Sequence, residues 1–467
     1  MLFTELNFII FFALFFTVYW LLKSKYARMA LLVIGSGIFY GAWDYRFLAL
    51  IMGVILISFL AQDRLAKLTE PRSRRFVLWS SVILLLSILG VFKYFNFFVG
   101  SFIAFGQTVG LDLKASTLSI ILPVGISFYV FQAIGLIVDV SRRTISKRYN
   151  LLEVAFFVAF FPQLVAGPIV RAKDFFPQLE LTHKFKDIPF KGVAILFLGG
   201  FFKKAVLADS IGMYLVDPVF ADPSNYSRTA IIAAVLAYAA QIYCDFSGYS
   251  DMAIAVSRCF GYRLPINFAA PYLSLSITEF WKRWHISLSH WLRDYLYISL
   301  GGNRGTDLQT YRNLLITMIL GGLWHGASWN FLFWGYLHGS ALAIERSLKW
   351  PQTVIKSRLL KILGWGLTFY ITCVCWVFFR STNFDVSLYF VSVLFGGKAG
   401  GSETVSLGLI LLLVGLFTVH ALIFSKQLGK RFSKLPAPIV FSCLGLLLAL
   451  MLPFIPREAQ PFIYFQF

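Results

Sequence analysis

The stretch from Ile319 to Gly339, ILGGLWHGASWNFLFWGYLHG, decides the reading of this chain. It sets His325 among glycine, tryptophan and leucine, on a segment apolar enough to lie in a bilayer. An ionisable side chain at that depth is costly, and one that is kept there is by default a functional candidate.

The rest of the chain has the same character. Of 467 residues, 58% are hydrophobic and 14% charged, against roughly 25% charged in an ordinary soluble domain. Too many apolar runs exceed what a core helix needs for a large soluble core to be the explanation, so the chain reads as an all-α polytopic membrane protein. Fifty phenylalanines and twelve tryptophans suit lipid-facing and interfacial surfaces. The net charge of +20, from 42 Lys+Arg against 22 Asp+Glu, does not call for nucleic acid. Its basic residues cluster between apolar runs: Lys23, Lys25 and Arg28; Arg64, Lys67, Arg72, Arg74 and Arg75; Arg142, Arg143, Lys147 and Arg148. Such clusters mark loops retained in the cytoplasm. This pattern places the N-terminus and C-terminus outside, with residues 23–28, 63–75, 142–148 and 426–434 inside. The five cysteines form no CxxC pair, which leaves no zinc site or disulfide framework to expect. Phe8 to Leu22 reads as a retained first span, since its basic residues follow it and no small-residue cleavage site is evident.

Charge-poor runs lie near residues 7–22, 29–43, 47–62, 76–92, 118–138, 229–256, 312–324, 330–344, 362–379, 405–424 and 437–455. They predict about eleven spans, several shorter than the ~20 residues of a simple crossing. Residues 151–170 have basic flanks on both sides, and the run 192–202 meets Lys203 and Lys204 before it can cross. Both read as re-entrant or half-inserted helices, which need protein or a watery cavity around their backbone. No repeat or soluble segment divides the chain, so one domain, 1–467, is expected.

Residues 277–300, ITEFWKRWHISLSHWLRDYLYISL, carry apolar side chains at helical spacing and predict an interfacial amphipathic helix. His285 shares the apolar face with Trp281, Leu288 and Leu292 and so points inward. One such histidine reads most simply as a core residue bonded to a carbonyl; His325 as a second makes a reaction centre the better reading. A neutral imidazole takes a proton from a hydroxyl or thiol and returns it to a leaving group. Gly321, Gly322 and Gly326 are expected to let backbone approach closely along a narrow channel. His285 and His290 are off the spacing of a helical zinc pair, so no metal is expected. Neither a GxSxG elbow nor a P-loop is found in a convincing context, so the donor must arrive already activated.

Residues 280–305, FWKRWHISLSHWLRDYLYISLGGNRG, followed by 313–339, NLLITMILGGLWHGASWNFLFWGYLHG, closely resemble the membrane-bound O-acyltransferase (MBOAT) superfamily, in its bacterial alginate O-acetyltransferase (AlgI) branch. PVGISFYVFQAIGLIVDV (123–140), FFPQLVAGPIVRAKDFFPQL (160–179), FFKKAVLADSI (201–211) and YCDFSGYSDMAIAVSRCFGYRLPINFAAPYL (243–273) extend the resemblance over nearly the whole chain. It implies a ring of about eleven transmembrane helices, with re-entrant and interfacial helices, around a central funnel. His325 matches the family's central histidine, His285 its second one, and Asp209 an acidic position of the alginate branch. Trp324 and Asn330 are read as supporting residues, and Arg283, Arg293 and Arg304 as donor-phosphate contacts. The related D-alanine exporters share WHxSLS but are not usually followed by LGGNRG, so Leu300 to Gly305 favour polysaccharide acetylation.

The expectation is therefore an inner-membrane O-acetyltransferase with no bound cofactor. Its donor is acetyl-CoA or an acyl-carrier thioester, and its acceptor an exported polysaccharide such as alginate. Acceptor transfer would run through a periplasmic or extracellular SGNH-like acetyltransferase partner, with lipid around the protein and no nucleic acid. The alternative from another class is a transporter or flippase that does no covalent chemistry.

Overall fold

The computed structural model describes residues 1–111, 113, 120–424, 434–455 and 460–463. The basic stretch 426–434 lies outside them apart from Lys434. Among the described residues the only extended pairing is a single bridge between Tyr226 and Glu403, so the fold is helical throughout. Five helical stretches among the described residues are long and apolar enough to cross a membrane: Lys25–Lys67, Pro71–Thr108, Arg228–Cys259, Arg358–Arg380 and Ala437–Phe454. Two compact units divide the chain: Met1–Ile188 with Val256–Pro265, and Pro189–Ala255 with Ile266–Phe467.

In the first unit, α1 (Leu6–Leu21), α2 (Lys25–Asp44), α3 (Leu48–Lys67) and α4 (Pro71–Leu89) follow in order. α2 and α3 are 20 residues each, about 30 Å of helix, the thickness of the hydrocarbon core. Phe8, Phe11, Phe39 and Phe161 interlock between α1, α2 and the chain beyond. The Tyr19 hydroxyl and Trp20 indole donate to the carbonyls of Phe260 and Cys259, at 2.8 and 3.1 Å. α5 (Phe95–Thr108) has no counterpart among the expected spans, because Lys93 ahead of it shortens the apolar run. α6 (Ile126–Ser141) begins only at Ile126, later than the run at 118 predicts. Gly125 sets that start: its φ is +73°, and a Cβ there would stand 2.5 Å from the Leu164 carbonyl oxygen. α7 (Leu151–Ala159) is nine residues long, opened by an Asn150–Glu153 capping box, and ends at Phe160 ahead of Pro162.

The second unit opens with α8 (Phe190–Phe201). The sequence predicts an end at Lys203 and Lys204, but the chain stays helical to Ala221 through π-helical turns at Phe202–Ala208 and Gly212–Val216. The lysines are tolerated because both are neutralised inside the protein, Lys203 by Asp251 at 2.6 Å and Lys204 by Asp209 and Asp245 at 2.7 Å each. Those partners lie on α9 (Arg228–Cys259), apart from Asp209. Next come α10 (Ile277–Arg283), α11 (Ile286–Trp291), α12 (Asp307–His325), α13 (Trp329–Ser347) and α14 (Arg358–Arg380). α15 (Phe384–Leu394), α16 (Leu407–Phe424) and α17 (Ala437–Met451) complete the described helices; α15 was not among the expected runs.

Candidate active site

α12 and α13 form a tight antiparallel hairpin whose turn carries His325. The contact is made by glycines. A Cβ on Gly322 would stand 2.1 Å from the Phe331 carbonyl oxygen, and one on Gly335 would stand 2.3 Å from that of Met318. Gly335 and Gly339 repeat at four, the small-residue spacing by which membrane helices approach closely. A Cβ on Gly326 would strike the Phe331 ring. Gly322 thus makes the close backbone approach expected of it, to the facing helix, and the space beside Gly326 is taken by the Phe331 ring. His325 is the last residue of α12, 3% exposed, with its ring 5.0 Å from Trp324, 5.0 Å from Trp334 and 5.2 Å from Phe379.

The amphipathic helix expected over 277–300 is broken at His285. α10 ends at Arg283, His285 takes a left-handed backbone with φ +41°, and α11 starts at Ile286. The break turns the imidazole fully inward, to 0% exposure, with its ring 6.4 Å from that of His325 and 5.8 Å from Trp324. Non-glycine residues adopt such a conformation at a cost, so surrounding contacts must hold it. The Asn267 side-chain oxygen supplies them. It accepts from the Ser287 backbone N–H at 3.2 Å and the Ser287 hydroxyl at 2.8 Å, and it lies 3.2 Å from His285 Nδ1. An oxygen already accepting from a backbone N–H is fixed as an acceptor, so neutral His285 carries its proton on Nδ1 and its lone pair on Nε2. The Asn267 amide nitrogen donates to Ser250 on α9 at 3.3 Å, and Phe246 of α9 meets the His285 ring edge-on at 4.6 Å.

The structure brings His285, His325 and Trp324 together and sets the other candidates apart. Asn330 donates to the Ser381 carbonyl and the Ser387 hydroxyl, at 3.0 and 3.2 Å, anchoring the start of α13. Asp209 makes no hydrogen bond or ion pair with either histidine; Lys204 holds it, and that lysine is 4% exposed. Arg283 pairs with Glu279 at 2.5 Å and Arg293 with Asp294 at 2.6 Å, while Arg304 is exposed. No cluster of three or more metal-ligating side chains occurs among the described residues.

Two residues escaped the sequence. Asn267 stands in the quoted stretch 243–273, where a lone amide in an apolar run was the available signal. His338 is 0% exposed and accepts from the Trp281 indole at Nδ1, 3.3 Å away, with Trp334 between it and His325. Its position in the LHG closing the opening stretch was visible, but nothing in the spacing distinguished it from a packed histidine.

The membrane-bound O-acyltransferase family model matches residues 32–387, a stretch that takes in both inward histidines and the hairpin. The chain belongs to that family. A "probable alginate O-acetylase AlgI" of Azotobacter vinelandii is 45% identical over 391 residues, 83% of this chain and 76% of the relative. A "peptidoglycan O-acetyltransferase" of Helicobacter pylori is 36% identical, over 76% of this chain and 72% of the relative. A "teichoic acid D-alanyltransferase" of Streptococcus thermophilus is 32% identical over 50% of this chain and 59% of the relative. The protein is thus a membrane-bound acyltransferase, and the transporter alternative is not retained.

Proposed function

We propose that the protein passes an acetyl group from a cytoplasmic thioester, acetyl-CoA or an acyl carrier, across the inner membrane for O-acetylation of an exported polysaccharide, alginate or a similar exopolysaccharide. The observation that carries the catalytic reading is the pair of buried histidines, His285 and His325, 6.4 Å apart between ring centres within an aromatic enclosure. His325 acts as general base on the acceptor hydroxyl. As the new O–C bond forms, the C–S bond breaks, and the imidazolium returns the proton to the departing thiolate. His285, oriented by Asn267, assists with the Nε2 lone pair or guides the donor. Trp324 shapes the space between the rings and Asn330 holds the hairpin. Asp209 supports the site from the ionic cluster it forms with Lys204 and Asp245.

Arg283, Arg293 and Arg304 bind donor phosphates at the cytoplasmic mouth. The whole chain, 1–467, forms one transmembrane domain, a ring of about eleven spans with re-entrant and interfacial helices around a central funnel. Its acceptor-side partner is a periplasmic or extracellular SGNH-like acetyltransferase. The acetyl and polysaccharide parts of this reading are supported by 45% identity to the A. vinelandii relative. The test is purified protein given acetyl-labelled thioester and acceptor. Wild type releases thiol and transfers label; His325→Ala does neither. Equal transfer by the variant would remove His325 from the chemistry.

A further inference from the structure

The helix that follows His325 also grips the helix that leads to His285. Glu345, near the end of α13, accepts from the backbone N–H groups of Ile277 and Thr278 and from the Thr278 hydroxyl, at 2.5, 2.9 and 2.9 Å, and so caps the start of α10. His338 lies seven residues earlier, two turns away on the same face of α13. It meets α10 one turn further along, where its Nδ1 accepts from the Trp281 indole N–H at 3.3 Å. An indole only donates, so neutral His338 carries its proton on Nε2. That Nε2 has no hydrogen-bond partner among the described residues, although the side chain is wholly buried. The His338 ring stands 4.8 Å from Trp334, Trp281 and Trp334 meet edge-on at 5.7 Å, and Trp334 meets His325 edge-on at 5.0 Å.

We propose that His338 is a positioning residue for acyl transfer, which fixes, through Trp281, the indole wall that Trp334 presents to His325; the inference rests on the reading of His325 as the general base. Stability by itself does not call for histidine at this place. A leucine would exchange one orphaned N–H, at Nε2, for another, at the Trp281 indole, and leave the balance much as it is. What leucine lacks is direction. Ring contacts alone are non-directional and let an indole turn in its place, whereas an acceptor at the Nδ1 position fixes the angle of the Trp281 ring. Glu345 keeps the effect local. With its three hydrogen bonds intact, α10 stays docked when the acceptor at 338 is lost, and only the Trp281 ring is released. A misplacement of about 1 Å at reacting groups costs on the order of a hundredfold in rate. A loosened wall therefore slows turnover and leaves donor affinity in place.

The experiment ranks two variants of the full chain, purified in mild detergent and given acetyl-labelled acetyl-CoA and an alginate oligosaccharide, by melting temperature and by kcat. His338→Leu fills the space and loses the acceptor: it melts near wild type, and kcat falls about tenfold or more with KM for the thioester within about twofold. His338→Asn keeps an acceptor at the place of Nδ1 and leaves a void where the ring stood: it melts lower than His338→Leu, yet keeps kcat within about threefold of wild type. A role in packing alone ranks the pair the other way, with the better-folded leucine variant the more active, and that ranking overturns the inference. Trp281→Phe removes the indole N–H with His338 in place, and is read whether or not the leucine variant folds. Its kcat falls about tenfold; wild-type turnover there overturns the inference as well. His325→Ala, run beside them, separates the two readings. Should it transfer label as wild type does, the assignment of the base has failed; an inactive His325→Ala beside an unaffected His338→Leu removes the positioning role alone.

Discussion

Two polar centres meet on consecutive residues of α9. Asp245 faces Lys204 and Asp209, while Phe246 faces His285. In the first centre a full positive charge is buried with two carboxylates around it, and a backbone N–H, that of Ile463, donates to Asp245 at 2.9 Å. In the second, two imidazoles are buried among Trp324, Trp334, Phe246 and Phe379. Burying a charge is tolerable only when it is paired, whereas a neutral imidazole needs only hydrogen bonds. The ionic centre is therefore bound to the fold, whereas the histidine centre holds no fixed charge. Stability should respond to the first and turnover to the second.

The largest expected effect is on turnover. His325→Ala lowers acetyl transfer by about 10²–10⁴-fold, the range for removing a general base, while protein in the membrane stays near the wild-type amount by immunoblot. Wild-type acetyl content of the cell-surface polymer at normal expression would break the comparison on the catalytic side. Lys204→Met tests the other side, since it leaves Asp209 and Asp245 buried without their cation. A loss of about 3–5 kcal/mol is expected, read as a lower melting temperature and less folded protein. Replacing both carboxylates as well, with Asp209→Asn and Asp245→Asn, restores the melting temperature. Should Lys204→Met melt as wild type does, the ionic centre is not what holds α8 and α9 together.

Packing comes next. Gly322→Ala brings a Cβ toward the Phe331 carbonyl, a distance of 2.1 Å with the present backbone, and separating α12 from α13 costs about 1–3 kcal/mol. Activity falls with stability, because His325 is carried on the parted hairpin. Asn267→Leu sharpens the histidine side alone: with its orienting hydrogen bond gone, kcat drops about tenfold, the equivalent of one hydrogen bond. KM for the thioester stays within about twofold, which a general loss of structure would not allow. The smallest effects belong to Arg293→Gln and Arg304→Gln. Each weakens saturation by an intact phosphate-bearing donor and leaves a truncated phosphate-free thioester unaffected. Parallel losses on both donors would reduce these arginines to lipid contacts, worth about 1 kcal/mol each near the surface.

Much of the candidate site was legible because membrane depth makes polar residues conspicuous. His325 and His285 stand out as ionisable side chains on apolar faces, and the helices α12 and α13 contain the runs predicted at 312–324 and 330–344. Periodicity could not disclose the break at His285, since Trp281, His285 and Leu288 keep helical spacing across it. Nor could it tell a lysine that ends a span from one that is neutralised inside, because Asp245 and Asp251 lie more than forty residues beyond Lys204 and Lys203 in the chain.

By itself, then, the sequence determined the solvent and drew notice to the two inward histidines of the candidate site. Transfer free energies act residue by residue, so long apolar runs assign the chain to a bilayer and an isolated imidazole within them draws notice wherever the fold places it. Tertiary structure decided which polar groups face each other. It joined Asn267 to His285 across 18 residues, Lys204 to Asp245 on α9, and Trp281 to His338 across 57. It also set the glycines of the opening stretch against the facing helix. Hydrogen bonds and close packing depend on distances of a few ångströms, and only the folded chain sets those distances.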